Sequence, residues 1–180
     1  MTTYNSYSPL GKPTSITLPD GTGVVLSYNL DGHLLSHNHE GQTMTLNYDD
    51  LGRLKRIVFP GTGGCNHYKY EAVTGRLIQV IVTDDCPAEA DGGDGDHTTL
   101  SYTDEGKVAE VRYFLEKASS ESYYRRVDYD PATGRIIRRY DKGTDISRYK
   151  RFSHDAFGRL TKLGDELCSD SVVCASWPGC

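Results

Sequence analysis

Long apolar stretches are missing from this 180-residue sequence: no hydrophobic run exceeds about four residues, far short of the roughly twenty that a membrane-crossing helix needs. An excess of basic charge is missing too. Twenty Lys and Arg stand against 25 Asp and Glu, a formal charge of −5, which argues against the phosphate-neutralising surface that holds DNA or RNA. Residues 1–12 lack the basic-then-apolar order of a secretory leader, so no signal peptide is expected in this chain. Phenylalanine, methionine and tryptophan are scarce, at four, two and one, whereas tyrosine reaches 13 and glycine 19. That balance predicts many turns and half-buried amphipathic rings in place of a dense aromatic core. The length suits about one domain on a prior of roughly 100–200 residues each.

Tyrosine and glycine recur at a fixed offset, in a unit that reads Y-D-x-x-G-R-L. Its clearest copy runs through Tyr48, Asp49, Gly52, Arg53 and Leu54, and a second through His154, Asp155, Gly158, Arg159 and Leu160 has histidine in the tyrosine position. Looser copies pair Tyr7 with Gly11, Tyr28 with Gly32 and Tyr102 with Gly106. Two copies are longer by one residue: Tyr70 with Gly75 and Arg76, and Tyr129 and Asp130 with Gly134 and Arg135. The array occupies residues 1–165 and comprises seven units, whose glycines are 20 to 31 residues apart.

Each unit reads as a β-hairpin. Val24, Leu26 and Tyr28, and again Met44, Leu46 and Tyr48, alternate with polar residues and so share one sheet face. Asp or Asn after the tyrosine accepts backbone N–H groups across a turn, and the glycine supplies the left-handed backbone that a tight reversal commonly needs. Residues 109–117 have helical propensity but occupy a return-strand slot, so strand is expected there. Residues 83–97, rich in Asp, Gly and Pro, are expected to form an exposed acidic loop. The fold class is all-β, with about fourteen antiparallel strands. That exceeds the roughly ten that an open twisted sheet usually carries, so the sheet is expected to curl around a space.

With Leu18-Pro19-Asp20-Gly21 and Phe59-Pro60-Gly61-Thr62 between units, the seven copies resemble the YD or Rhs repeats. These repeats occur in bacterial Rhs and wall-associated polymorphic toxins, in the C component of insecticidal Tc toxins and in animal teneurins. The resemblance implies a sheet spiralling into a hollow shell that encloses a C-terminal toxin, or forms part of an adhesive ectodomain. It further implies a non-catalytic stretch of shell wall, without metal or cofactor, in a secreted or cell-surface protein whose other repeats and cargo domain are its partners. The family's D-P-x-G self-cleaving segment is absent, and the cysteine-containing tail, residues 166–180, is too short for a toxin. The chain is therefore read as a fragment. A second reading is a module binding glycans or a cell-surface partner through exposed tyrosines. A third is a thiol hydrolase using Cys65 and His67.

Five cysteines, at 65, 86, 168, 174 and 180, leave at least one unpaired in a monomer. Cys65 and Cys86 flank the fourth hairpin and form either a disulfide clasp, in an oxidising compartment, or two isolated thiols. The spacing of Cys168, Cys174 and Cys180 does not suit zinc. The acidic run around Asp94 and Asp96 falls short of a calcium motif, because His97 stands where an aspartate ligand belongs. His33, His37 and His39 cluster without a completing ligand. Tyr123, Tyr124, Arg125, Arg126, Arg138, Arg139 and Tyr140 read as cross-strand packing with ion pairs to Asp128, Asp130 and Asp141.

Overall fold

The computed structural model describes residues 1–61, 63–91, 94–115, 121–143 and 147–167. Polar–apolar alternation between turn signals produces strands throughout, and the described residues contain no helix. Eight strands occupy the first part of the chain: β1 (Thr3–Tyr7), β2 (Pro13–Thr17), β3 (Gly23–Tyr28), β4 (Leu34–His39), β5 (Gln42–Tyr48), β6 (Leu54–Val58), β7 (Cys65–Tyr70) and β8 (Leu77–Thr83). Six follow: β9 (Asp96–Tyr102), β10 (Val108–Phe114), β11 (Tyr123–Tyr129), β12 (Ile136–Gly143), β13 (Ser147–His154) and β14 (Leu160–Leu167). Strand order in the sheet is sequence order. The seven expected hairpins are β1–β2 through β13–β14, each antiparallel. The chain divides into two compact units, Met1–Asp96 and His97–Cys180.

The turn of the third hairpin shows why the repeat is spelled as it is. Gly52 N–H donates to Asp49 C=O at 2.9 Å, and Asp49 N–H donates to Arg53 C=O at 2.9 Å. This is a type I turn closed by a left-handed residue, a favoured three-residue hairpin loop. Gly52 holds φ at +74°, where a Cβ would crowd the following carbonyl. All seven repeat glycines share this region, with φ between 66° and 88°. Asp49 Oδ1 accepts the N–H groups of Leu51 and Arg53 at 3.0 and 2.9 Å, and Asp155 repeats the pattern with Phe157 and Arg159. Just before the turn the register shifts between Asn47 and Tyr48, and likewise before Tyr28, Tyr70, Tyr129 and His154. The bulge re-aims the tyrosine and sets it opposite the residue after the basic position, as Tyr48 opposite Leu54.

In the first unit, Leu26 pairs with His37 and His37 with Met44, so the alternating apolar set does share a face. The opposite face carries short polar pairs, such as Ser27 Oγ with Ser36 Oγ at 2.6 Å. Few side chains are deeply buried among the described residues: Val24, Cys65, His67, Ile81, Thr83, Ala90, Asp141 and Tyr149. Residues 109–114 are strand, as expected from their slot, and 115 lies beyond it, whereas 116 and 117 fall outside the described residues. The loop expected over 83–97 is narrower. Thr83 remains in β8, paired with Cys65, and β9 begins at Asp96. The loop is also not uniformly exposed, because Ala90 is buried. Cys168, Cys174 and Cys180 lie outside the described residues. No helix is long and apolar enough to cross a membrane among the described residues.

Gly52→Ala should lower the unfolding free energy by about 1–2 kcal/mol, the cost of the left-handed backbone. Gly23→Ala, whose Cβ would meet open space at negative φ, should change it by less than about 0.5 kcal/mol. Urea titrations of the two variants against the parent measure both.

Candidate functional site

The repeat residues converge between consecutive hairpins, and the arrangement recurs. Tyr28 Oη donates to Pro13 C=O at 3.1 Å, Tyr48 Oη to Leu34 C=O at 2.9 Å, and Tyr70 Oη to Leu54 C=O at 2.8 Å. In the second unit Tyr129 Oη donates to Val108 C=O at 2.9 Å. Each acceptor belongs to the residue after the basic position of the preceding hairpin. That basic residue in turn covers the tyrosine ring of the next. Lys12 Nζ lies 5.5 Å from the Tyr28 ring centre, Arg53 Cζ 4.5 Å from that of Tyr70 and Lys107 Nζ 5.2 Å from that of Tyr129, within cation–π reach. His33 takes the same place by stacking on Tyr48 with centroids 4.8 Å apart.

The same basic side chain also reaches the next turn. Lys12 Nζ donates to Gly32 C=O at 2.5 Å. A Cβ on Gly52 would sit 3.0 Å from His33 Cε1 and one on Gly75 3.4 Å from Arg53 Nη1, and a Cβ on Gly134 or Gly158 would collide with Lys107 or Arg135. Glycine therefore serves its own turn and makes room for the preceding hairpin's cation. Sequence reasoning took the glycine as turn chemistry alone and gave the basic residue after it no role. The signal was present: the residue after the repeat glycine is Lys12, His33, Arg53, Arg76, Lys107, Arg135 or Arg159 in all seven units.

The aspartate aims the arginine. Arg53 Nε donates to Asp49 Oδ2 at 2.7 Å, and Arg159 Nε to Asp155 Oδ2 at 2.7 Å. Burial alone would raise the Asp49 carboxyl, but bonds from the Arg53 backbone and guanidinium and from Leu51 outweigh it and hold it below its ordinary value. Asp130 Oδ1 instead accepts from Ala132 and Thr133 of its own longer turn.

In the second unit the expected ion pairs centre on Asp141, which accepts Tyr123 Oη at 2.8 Å, Arg125 Nε at 2.5 Å and Arg139 Nε at 2.8 Å. Its burial would raise the carboxyl, yet the bonds from Arg125 and Tyr123 and the two guanidinium charges bring it below its ordinary value. Arg126 pairs with Asp128 at 3.2 Å. Tyr124 donates to Glu110 at 2.9 Å, and burial together with that bond pushes its phenol up to about 12.

Cys65 and Cys86 are joined as a disulfide, with Cα atoms 5.3 Å apart. Cys65 is buried and His67 beside it is too, so the hydrolase reading finds no free thiol here. Burial, reinforced by the Arg56 charge, holds the His67 imidazole below its ordinary 6.5. His33 is drawn to Tyr48 and His39 to Thr22 Oγ1 at 3.1 Å, and no group of three His, Cys, Asp or Glu is placed to hold a metal among the described residues. The hydroxyl and one ring face of Tyr28, Tyr48, Tyr70 and Tyr129 are already engaged within the sheet, whereas Tyr4 and Tyr7 are exposed.

Two outcomes follow. A double-mutant cycle on Arg53→Ala and Tyr70→Ala, read by urea unfolding, should give a coupling of about 0.5–1 kcal/mol; zero coupling would mean the clamp is only proximity. The depressed His67 makes the unfolded chain bind its proton first as pH falls. Its contribution to stability is thus complete above pH 6.5 and is lost as pH falls through the folded value. The urea midpoint should decline from pH 7 toward pH 5, and His67→Gln should flatten that decline.

No family model matches the sequence, and no curated protein is similar to it. Solved structures are. The crystal structure of TcdB2-TccC3-Cdc42 superposes with a TM-score of 0.74 at 18% identity, covering 93% of this chain and 9% of that one. TcdB2-TccC3 without its hypervariable C-terminal region gives the same values. A Photorhabdus luminescens Tc holotoxin pore with a TccC3 mutation gives a TM-score of 0.72 at 18% identity and the same coverage. The chain spans about a tenth of those chains' length, and across that span it shares their fold.

Proposed function

We propose that this chain is a non-catalytic segment of wall from an Rhs/YD-repeat shell, within a longer secreted protein that encloses a C-terminal toxin or effector. One observation carries the reading: a repeated clamp, tyrosine hydroxyl to backbone and basic side chain to tyrosine ring, ties four of the hairpins to their successors. Such a joint extends a sheet indefinitely without a second layer, which is what a wall requires. The outermost strands support it. Among the described residues β1 and β14 each have a single neighbour, and every residue of β1 is exposed, leaving ladder groups that further repeats would satisfy. The likeness to Tc toxin chains about ten times longer points the same way. In this reading the mechanism is steric: the cargo is kept from its target until the wall opens.

The test uses a chain in which these repeats continue into a downstream segment. Limited proteolysis should leave that segment intact under native conditions and cleave it once mild denaturant opens the repeats. Equal cleavage in both conditions would rule out enclosure.

A further inference from the structure

The deepest burial in the molecule lies where a loop crosses the fourth hairpin. Cys65, His67, Ile81, Thr83 and Ala90 are five of the eight buried non-glycine residues among those described, and none is more than 6% exposed. Cys65 pairs with Thr83 and His67 with Ile81 across β7 and β8, so the four share one face. Residues 84–91 return over it as a strap. Cys86 is bonded to Cys65, Pro87 C=O accepts Arg56 Nη1 at 2.8 Å, Glu89 pairs with Lys55 at 2.6 Å, and Ala90 is buried. The approach is close at both ends, since a Cβ on Gly64 or Gly95 would collide with the carbonyl oxygens of Thr83 or Val82.

The latches are unequal. Lys55 and Glu89 are 43% and 75% exposed, and an ion pair so open to water holds little. Beneath the strap, His67 Nε2 and Thr83 Oγ1 are buried with no hydrogen-bond partner. Closure keeps these groups from water at a cost that opening relieves. The covalent bond, spanning 21 residues, is thus the strongest of the ties that hold residues 84–91 over this face, beside the Arg56–Pro87 hydrogen bond and the buried Ala90. Its two half-cystines also differ in exposure, because Cys86 is exposed and Cys65 is buried.

We propose that Cys65–Cys86 is a redox latch: residues 84–91 stay strapped over the β7–β8 face in an oxidising compartment and are released by small-molecule thiols. A thiolate attacks the sulfur of the exposed Cys86 and breaks the bond to Cys65, whose thiolate leaves and takes up a proton. A second thiolate attacks the resulting mixed disulfide, which frees Cys86 and leaves the oxidised small disulfide. Two electrons and two protons pass from two thiols to the protein. The inference is independent of enclosure, since it concerns one hairpin of the first unit.

Hydrogen exchange read by mass spectrometry tests it, on oxidised protein, on protein reduced with glutathione, and on Cys86→Ser, with peptide-resolved alkylation reporting each cysteine. Support is pairing of Cys65 with Cys86 after oxidation, then at least about tenfold faster exchange in 84–91 and at the β7 and β8 amides in the reduced and Cys86→Ser proteins, with β1–β5 unchanged. Three results would overturn it: the two cysteines stay unpaired in oxidised glutathione; exchange in 84–91 is unaffected by reduction; or exchange rises equally through β1–β5, which would make the bond a staple of the whole unit.

Discussion

A two-stranded hairpin cannot hold itself together in water, and the fold within each unit depends on how one hairpin is bound to the next, as four joints show. The joint is a buried-edge hydrogen bond from a tyrosine hydroxyl to a backbone carbonyl one hairpin earlier, under a cation contributed by that same earlier hairpin. Phenylalanine could fill the space but not reach the carbonyl, which is why Tyr28, Tyr48, Tyr70 and Tyr129 are tyrosine. The aspartate is part of the same device, because it folds the turn and points the arginine. Glycine permits the reversal and leaves the opening through which the preceding cation lies.

A sheet assembled this way needs little core. Its apolar residues are mostly half-buried, and its opposite face in the first unit is laced by serine, threonine and asparagine pairs. Turn tips even display large apolar side chains, with Leu30 and Val73 more than nine-tenths exposed. Against that background the patch beneath residues 84–91 stands apart. There a loop lies over the sheet as a second layer, and a disulfide and two unpartnered polar groups meet.

Much of the architecture was legible in the residues. Seven hairpins, their boundaries and the left-handed glycines follow from Y-D-x-x-G-R-L, because turn chemistry acts over four or five residues and needs no tertiary context. The loop was legible only in part. Its Asp, Gly and Pro content correctly excluded a strand over 84–91, but composition carries no information about what a loop folds back upon, so the burial of Ala90, the extension of β8 to Thr83 and the start of β9 at Asp96 were missed. Asp130 was read as a partner of the arginine patch, whereas its Oδ1 is engaged by its own turn.

What the sequence by itself determined is the repeating unit: its period, its all-β character and the identity of each turn. What only the tertiary structure decided is the use of those residues between units. Tyr70 meets Leu54 and Arg53 across 16 and 17 positions, at a bulge whose register no local pattern specifies. Likewise Cys65 alternates like any strand residue, and only the path of the loop brings Cys86 above it. The physical reason is the range of the forces involved. Backbone turns are chosen by neighbours in the chain, whereas rings, cations and sulfurs are matched by whichever strand pairing brings them within a few ångströms.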